Sequence, residues 1–149
     1  METNKIVLVT GANRGIGFAV AKTLLEKNIE GIITSRSEED GKEALSKLAE
    51  FGTAKYHQLD VTNSSSIKNC VAFVEAEYGR LDALINNAGI NYDTHQNIIN
   101  ADLDEVLNTF KTNTLAPIEM IQRFLPLLKN SDLPRIVNVS SGSGTLASQ

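Results

Sequence analysis

Residues 5–17 read Lys-Ile-Val-Leu-Val-Thr-Gly-Ala-Asn-Arg-Gly-Ile-Gly, and this stretch decides the fold. The apolar run from Lys5 to Thr10 is typical of a strand that is buried on both faces in a parallel sheet, and Gly11 ends it. Apolar side chains then recur with helical spacing between Ile16 and Lys27. The stretch therefore predicts a buried strand, a glycine-rich turn and an amphipathic helix.

The same alternation of strand and helix continues along the chain. Further strands are predicted at Gly31–Ser35, Ala54–Leu59, Leu81–Asn86 and Arg135–Ser140, and helices at about Ser37–Glu50, from Ile67 to Tyr78 and from Leu103 to Lys129, the last interrupted at Pro117 and Pro126. Parallel neighbours need helical crossovers of one hand, so the pattern predicts an α/β fold with a Rossmann-type doubly wound parallel sheet. We expect one domain across residues 1–149, incomplete at about five strands, in the order 3-2-1-4-5. Strand five is expected to form an unprotected edge.

The composition excludes several classes of function. Eighteen acidic against fourteen basic residues give a net charge of −4, so there is no broad cationic field for nucleic acid or for a membrane surface. The single Cys70 and the two histidines offer no zinc-binding spacing. The first apolar run is far too short for a membrane span. We expect a soluble, cytoplasmic protein with no metal site and no nucleic-acid or membrane partner.

In a nucleotide-binding site, each of the three glycines of the turn would have a separate physical role. Gly11 permits the tight turn, Gly15 lets backbone N–H groups approach a pyrophosphate, and Gly17 lets the helix lie close on the sheet. The helix N-terminus adds partial positive charge and free N–H donors. The turn therefore predicts a dinucleotide-binding loop, with a merely structural glycine-rich turn as the alternative.

The chain contains three motifs: Thr10-Gly-x-x-x-Gly15-x-Gly17, Asn86-Asn87-Ala88-Gly89 and Asp60-Val61. Together they resemble the short-chain dehydrogenase/reductase family, and the carbonyl-reductase-like members most closely. The runs Lys111-Thr112-Asn113 and Ile136-Val137-Asn138-Val139-Ser140-Ser141 follow in the order that the family has. The resemblance implies a nicotinamide dinucleotide as cofactor. The residues that it places around the cofactor are Gly11, Asn13, Arg14, Gly15, Ile16, Gly17, Arg36, Asp60, Val61, Asn87, Ala88 and Gly89.

The end of strand two indicates which cofactor is used. An acidic side chain there accepts hydrogen bonds from the ribose 2′-hydroxyl of NAD and repels a 2′-phosphate. This chain has Arg36 at that place and Arg14 in the glycine turn, with no acid at the strand end. Guanidinium groups form charge-assisted, bidentate bonds to phosphate. We therefore expect NADP(H) rather than NAD(H); the alternative for each arginine is a solvated surface charge.

The resemblance also implies two catalytic residues. Ser141 matches the serine that orients the substrate carbonyl, and Asn113 matches the asparagine whose backbone carbonyl holds a water in a proton relay. Pro117 lies four residues after Asn113 and has no N–H, so the α-helical bond to the Asn113 carbonyl cannot form there. That carbonyl is then open to a water, unless the proline only kinks the helix.

The proton donor of the family is missing from the sequence. The family uses a Tyr-x-x-x-Lys pair after strand five, but Tyr56, Tyr78 and Tyr92 are followed four residues on by Asp60, Asp82 and Gln96. The sequence therefore looks cut just before its own acid. Two hypotheses follow: an NADP(H)-dependent oxidoreductase that acts on a small carbonyl or alcohol substrate, or an inactive, truncated nucleotide-binding or interaction protein.

The family also places a partner helix against the segment that matches Leu103 to Lys129. Without that partner, the apolar stripe through Phe110, Ile118, Ile121 and Leu125 is expected to lack its cover. We therefore expect a homo-oligomer, or association with another polypeptide through this helix.

Overall fold

The computed structural model describes residues 4–90 and 96–142. In this part of the chain five parallel strands form one sheet in the order β3-β2-β1-β4-β5, which confirms the predicted fold class and strand order. The strands are β1 (Ile6–Val9), β2 (Glu30–Ser35), β3 (Ala54–Gln58), β4 (Ala83–Asn86) and β5 (Arg135–Asn138). Each lies within a predicted strand or begins one residue before it.

Helices connect the strands. They are α1 (Gly15–Glu26), α2 (Glu38–Leu48), α3 (Ser64–Tyr78), α4 (Leu103–Phe110) and α5 (Ala116–Leu128), with a π-helical turn at Lys111–Leu115 between the last two. Three of the helices have a side-chain N-cap. The side chains of Ser37, Asn63 and Asp102 accept hydrogen bonds from backbone N–H groups in the first turns of α2, α3 and α4, respectively. α1 follows Arg14 without a side-chain cap.

The sheet has a hydrophobic core on each face. Ile6 and Leu8 of β1 point to the side of α3 and α5, whereas Val7 and Val9 point to the side of α1 and α2. β1 is buried along its whole length because it is the central strand and has helices on both sides. Cys70 of α3 lies in the first core, and burial raises the pKa of its thiol to about 12.

The segment from α4 to α5 differs from the sequence prediction. One helical segment with a single apolar face was predicted from Leu103 to Lys129, but a π-helical turn divides the segment, and α5 has a second apolar face that enters the core. The side chains that enter the core are Ala116, Met120, Phe124, Leu127 and Leu128. Phe110, Ile118 and Leu125 of the predicted stripe are 51, 49 and 40% exposed, whereas Ile121 packs against the core. α5 is therefore apolar on two faces, and one of them is uncovered.

The uncovered surface continues onto the edge of the sheet. β5 pairs with β4, and all four of its residues are exposed. None of the eight residues of α4 is buried. Apolar side chains on α4, α5 and β5 therefore face outward in the described part of the chain.

Residues 4–90 and 96–142 contain neither a membrane-spanning helix nor a cluster of metal ligands. No helix in these ranges is long and apolar enough to cross a membrane. Within the same ranges, no three His, Cys, Asp or Glu side chains come together in a way that could hold a metal ion.

Candidate functional site

A cavity of about 490 Å³ opens at the carboxyl ends of β1, β2 and β4. The strand order reverses between β1 and β4, and ligands of open α/β sheets bind outside the strand ends at such a switch point. Eleven of the twelve predicted cofactor residues line the cavity: Gly11, Asn13, Arg14, Gly15, Ile16, Arg36, Asp60, Val61, Asn87, Ala88 and Gly89. The fold therefore brings together motifs that are far apart in the sequence.

The glycine turn has the close contacts that its sequence predicts. A Cβ at Gly17, the twelfth residue, would lie 2.4 Å from both the Gly11 carbonyl oxygen and Asn87 Nδ2, so no larger side chain fits there. Gly15 has a φ of +58°, and no neighbouring atom lies within 4 Å of the place that a Cβ would take. Gly15 also lines the cavity, so the open space leaves room for a ligand to approach the backbone.

Thr10 joins the glycine turn to the end of β4. Its hydroxyl oxygen accepts hydrogen bonds from the backbone N–H groups of Asn87 (3.0 Å) and Ala88 (2.9 Å). The Asn87 side chain donates in return to the carbonyl oxygens of Thr10 and Gly11. Sequence reasoning did not assign Thr10 to the site, although it precedes the first glycine of the motif. These bonds fix two walls of the cavity relative to each other.

The N-terminus of α1 faces the cavity, and Gly15 and Ile16 of its first turn line it. No side chain caps this terminus, and its first turn carries no acidic residue. An uncapped helix N-terminus presents N–H groups and partial positive charge to a ligand. The N-terminus of α1 can therefore bind an anion.

The turn from β2 to α2 forms the basic end of the cavity. Arg36 lies between Ser35 and Ser37, and all three residues line the cavity together with Arg14 of the glycine turn. Asp40, in the first turn of α2, lines it as well. The sequence analysis did not assign Ser35, Ser37 or Asp40 to the site, although Ser35 and Ser37 flank Arg36 in the sequence; Asp40 is brought there by α2. Two guanidinium groups and one carboxylate thus share this end.

The third wall follows β3. Asp60 Oδ1 accepts bonds from the backbone N–H of Thr62 (2.9 Å) and from its hydroxyl (2.7 Å), and the backbone N–H of Asp60 donates to Ser66 Oγ at 2.9 Å. These bonds hold the turn that precedes α3 in one conformation. Val61 is 7% exposed and closes the wall with an apolar surface.

Asn113 lies in the π-helical turn, and its side chain holds the loop after β4. Its Oδ1 accepts from the backbone N–H of Ile90 at 2.8 Å, and its Nδ2 donates to the Ile90 carbonyl at 2.7 Å. The sequence analysis assigned a role only to the backbone carbonyl of this residue. Thr112, beside it, lines the cavity. The π-helical turn is therefore tied to the Asn87–Gly89 wall.

Ser141 lies three residues beyond the end of β5 and is exposed. The N–H of Val139 donates to the Asn86 carbonyl at 3.0 Å, which keeps the end of β5 beside the end of β4. Ser141 thus lies at the carboxyl ends of the strands, as the cavity does, although it is not among the residues that line the cavity.

The described tyrosines do not face the cavity. Tyr56 is on β3, and Tyr78 donates a hydrogen bond to Glu30, which begins β2. Burial and the Glu30 carboxylate raise the pKa of Tyr78, whereas a phenol that acts as an acid near neutral pH needs a lowered one. Tyr92 lies outside the described residues.

Comparison with known proteins agrees with this geometry. The model of a family described as short chain dehydrogenase matches residues 5–149. The chain is 40% identical to (+)-neomenthol dehydrogenase of Arabidopsis thaliana, over 97% of this chain and 56% of that protein. It is 41% identical to carbonyl reductase (NADPH) 1 of Mus musculus, over 94% of this chain and 50% of that protein.

A solved structure shows the same architecture. Menthone neomenthol reductase from Mentha piperita superposes with a TM-score of 0.88 at 32% identity, over 99% of this chain and 64% of that one. The chain spans about half the length of the curated relatives named above. Since the family model extends over nearly the whole sequence, the chain belongs to the short-chain dehydrogenase family.

Proposed function

We propose that this chain forms the NADP(H)-binding part of an oxidoreductase that acts on a carbonyl or alcohol group of a small molecule. The observation that carries the proposal is the cavity in which the uncapped N-terminus of α1 meets two arginines. When bound, the nicotinamide exchanges a hydride with the carbonyl carbon. One of the relatives is named as an NADPH-dependent carbonyl reductase, which supports this choice.

The residues of the cavity have separate tasks in this proposal. Backbone N–H groups of the glycine turn and of the first turn of α1 bind the pyrophosphate. Asp60 and Val61 form the wall for the adenine, and Asn87 to Gly89 support the nicotinamide half. Ser141 donates a hydrogen bond to the substrate oxygen as charge develops on it. Asn113 holds a water through its backbone carbonyl.

The arginines of the cavity favour the phosphorylated cofactor. Arg14 and Arg36 both line the end at which the turn after β2 lies. Asp40 opposes a phosphate there, but two guanidinium groups outweigh one carboxylate. A hydroxyl on the ribose of NADH gives these cations no anionic partner. We therefore propose that the chain selects NADP(H) over NAD(H).

Replacing Arg36 with serine tests this selection. A hydrogen bond between charged groups contributes about 1.5–3 kcal/mol, so Arg36→Ser is expected to weaken NADPH binding roughly 10- to 150-fold. Binding of NADH is expected to change less than about twofold, because the lost partner is the phosphate. Calorimetric titration of both cofactors measures these affinities.

Arg123→Ser is the matched control, since Arg123 is exposed on α5 and pairs only with Glu119 among the ion pairs described. It is expected to leave both affinities unchanged. Equal affinity of the unmodified chain for NADPH and NADH would contradict the proposal. An Arg36→Ser variant that keeps its preference would do the same.

A second candidate function is binding without turnover. It rests on one observation: no tyrosine in residues 1–149 is followed four residues later by a lysine. A polypeptide of residues 1–149 that binds nucleotide without such a pair can serve in regulation or in an assembly. Turnover assays of this polypeptide distinguish the two candidates.

We also propose that the chain associates through the uncovered apolar surface of α4 and α5, in the cytoplasm. Ile98, Ile99, Leu103 and Leu107, on α4 and just before it, are between 62 and 96% exposed. Burying an apolar side chain of this size stabilises a complex by about 1.5–3 kcal/mol. A second copy of the chain is the simplest partner that covers this surface.

Ile118→Asp is expected to weaken this association. Ile118 is 49% exposed on α5, so a carboxylate there disrupts the interface more than the fold. Sedimentation velocity at several concentrations is expected to show dimers or larger species for the unmodified chain and smaller species for the variant. Asn69→Asp, which adds the same charge at an exposed position of α3, is the control. An unmodified chain that remains monomeric at every concentration would contradict the proposal.

A further inference from the structure

Two side chains of β3 hold the β2–α2 turn from the side away from the cofactor cavity. The hydroxyl of Tyr56 lies 3.2 Å from Ser35 Oγ and donates to the Ser37 carbonyl oxygen at 3.2 Å. Nε2 of Gln58 donates to the Arg36 carbonyl oxygen at 2.9 Å. Both side chains line a separate groove and not the cofactor cavity. They therefore contact the backbone of the turn and leave the cavity side free.

The backbone of the turn is held at three successive carbonyl groups. The Ser35 carbonyl accepts from the N–H of Leu59 at 2.9 Å, and the Ser37 carbonyl also accepts from Ser35 Oγ at 2.6 Å. With the bond from Gln58 to Arg36, every carbonyl from 35 to 37 has a donor. A loop held in this way has few conformations left, so the Cα of Arg36 keeps one position.

The packing of Tyr56 is specific to this arrangement. A Cβ on Gly41 of α2 would lie 2.0 Å from the Tyr56 ring and 2.5 Å from Ser35 Oγ, so the ring fills the space that a glycine leaves. Burial raises the pKa of Tyr56. The phenol therefore keeps its proton at neutral pH and remains a donor.

We propose that Tyr56 and Gln58 are positioning residues that set the preference for NADP(H) by fixing the backbone that carries Arg36. The proposal rests on the function proposed above. Neither residue contacts the cofactor; they act through the arginine.

The effect is expected to fall on one cofactor only. If the turn is free to move, it must be ordered again each time Arg36 binds the 2′-phosphate, and that ordering weakens binding. NADH has no such phosphate and does not use the arginine. The pyrophosphate and adenine walls are built by other residues, so they bind both cofactors equally.

Two conservative variants test the proposal. Tyr56→Phe keeps the ring against Gly41 and removes only the hydroxyl, and Gln58→Met keeps the length of the side chain and removes the donor. Each is expected to raise the Kd for NADPH roughly three- to tenfold, which corresponds to one net hydrogen bond, and to leave the Kd for NADH within about twofold. Calorimetric titration measures both values, and thermal unfolding by circular dichroism confirms that each variant is folded.

A matched control lies on the same strand. Lys55→Met replaces another long polar side chain of β3, but Lys55 pairs with Glu77 of α3, away from the turn. It is expected to change neither affinity. The variants are also made in the Arg36→Ser background, where Tyr56→Phe and Gln58→Met are expected to have no further effect on NADPH binding.

The outcomes separate this proposal from the proposed function. If the unmodified chain prefers NADPH and either variant weakens NADPH and NADH equally, the residues only stabilise the fold and the positioning role is overturned. An undiminished effect in the Arg36→Ser background overturns it as well. If the unmodified chain does not prefer NADPH, the proposed cofactor choice fails, and the positioning role fails with it.

Discussion

Gly17→Val is expected to abolish nucleotide binding and to destabilise the fold. Even the first carbon of the new side chain would lie 2.4 Å from the Gly11 carbonyl oxygen and from Asn87 Nδ2. Overpacking of this kind costs about 1–3 kcal/mol, and here it also moves α1 away from the sheet. Since the first turn of α1 and the glycine turn are both walls of the cavity, we expect affinity for NADPH to fall more than about 100-fold.

Gly15→Ala distinguishes the loss of nucleotide binding from the loss of fold stability. No protein atom lies within 4 Å of its Cβ position, so the fold loses only the preference of an L-residue against a positive φ, about 1–2 kcal/mol. We expect this variant to unfold at a moderately lower urea concentration, without the displacement of α1 expected for Gly17→Val, and to bind NADPH poorly, because Gly15 lines the cavity and the new methyl group takes space there. Urea unfolding and calorimetric titration give the two quantities. Tight NADPH binding by Gly17→Val would show that the cavity is not where the nucleotide binds.

The 149-residue polypeptide, saturated with NADPH, is expected to reduce carbonyl compounds extremely slowly. Loss of a general acid lowers a rate by about 10²–10⁴-fold, and neither Tyr56 nor Tyr78 faces the cavity to replace it. The measurement is the oxidation of NADPH with a panel of aldehydes and ketones. A full-length carbonyl reductase assayed in parallel shows that the conditions support turnover.

Ser141→Ala decides whether any residual rate belongs to this chain. A trace of a contaminating reductase would not respond to the substitution. Turnover that stays with the chain through purification and disappears in Ser141→Ala would contradict the expectation of inactivity. It would also show that another group supplies the proton.

The parts of the site that could be predicted are those that local sequence determines. The glycines of the turn mark positive φ values and a close approach, and the run Ile6–Val9 marks a strand buried on both faces. The strand order is that of the Rossmann-type fold, which the motifs at these positions indicate. A few residues that are adjacent in the sequence are enough to explain why these features form.

The parts that could not be predicted depend on contacts between distant segments. The π-helical turn is tied to the β4 loop by the bonds from Asn113 to Ile90, twenty-three positions away. After this turn, Met120 and Phe124 of α5 lie in the core. The roles of Thr10 and Gln58 likewise depend on partners in other strands. Helical periodicity contains no information about such partners.

The bonds from Thr10 to Asn87 and Ala88 bear on the order of events during synthesis. Segments leave the ribosome from the N-terminus, and β1, α1 and β2 emerge first. That nascent unit contains the whole glycine turn and Arg36, but the wall that Thr10 holds in place comes seventy-seven positions later. One edge of the central strand, β1, therefore stays unpaired until β4 has been synthesised and pairs with it. The cavity that we propose for the nucleotide is therefore complete only when the two halves of the sheet have joined.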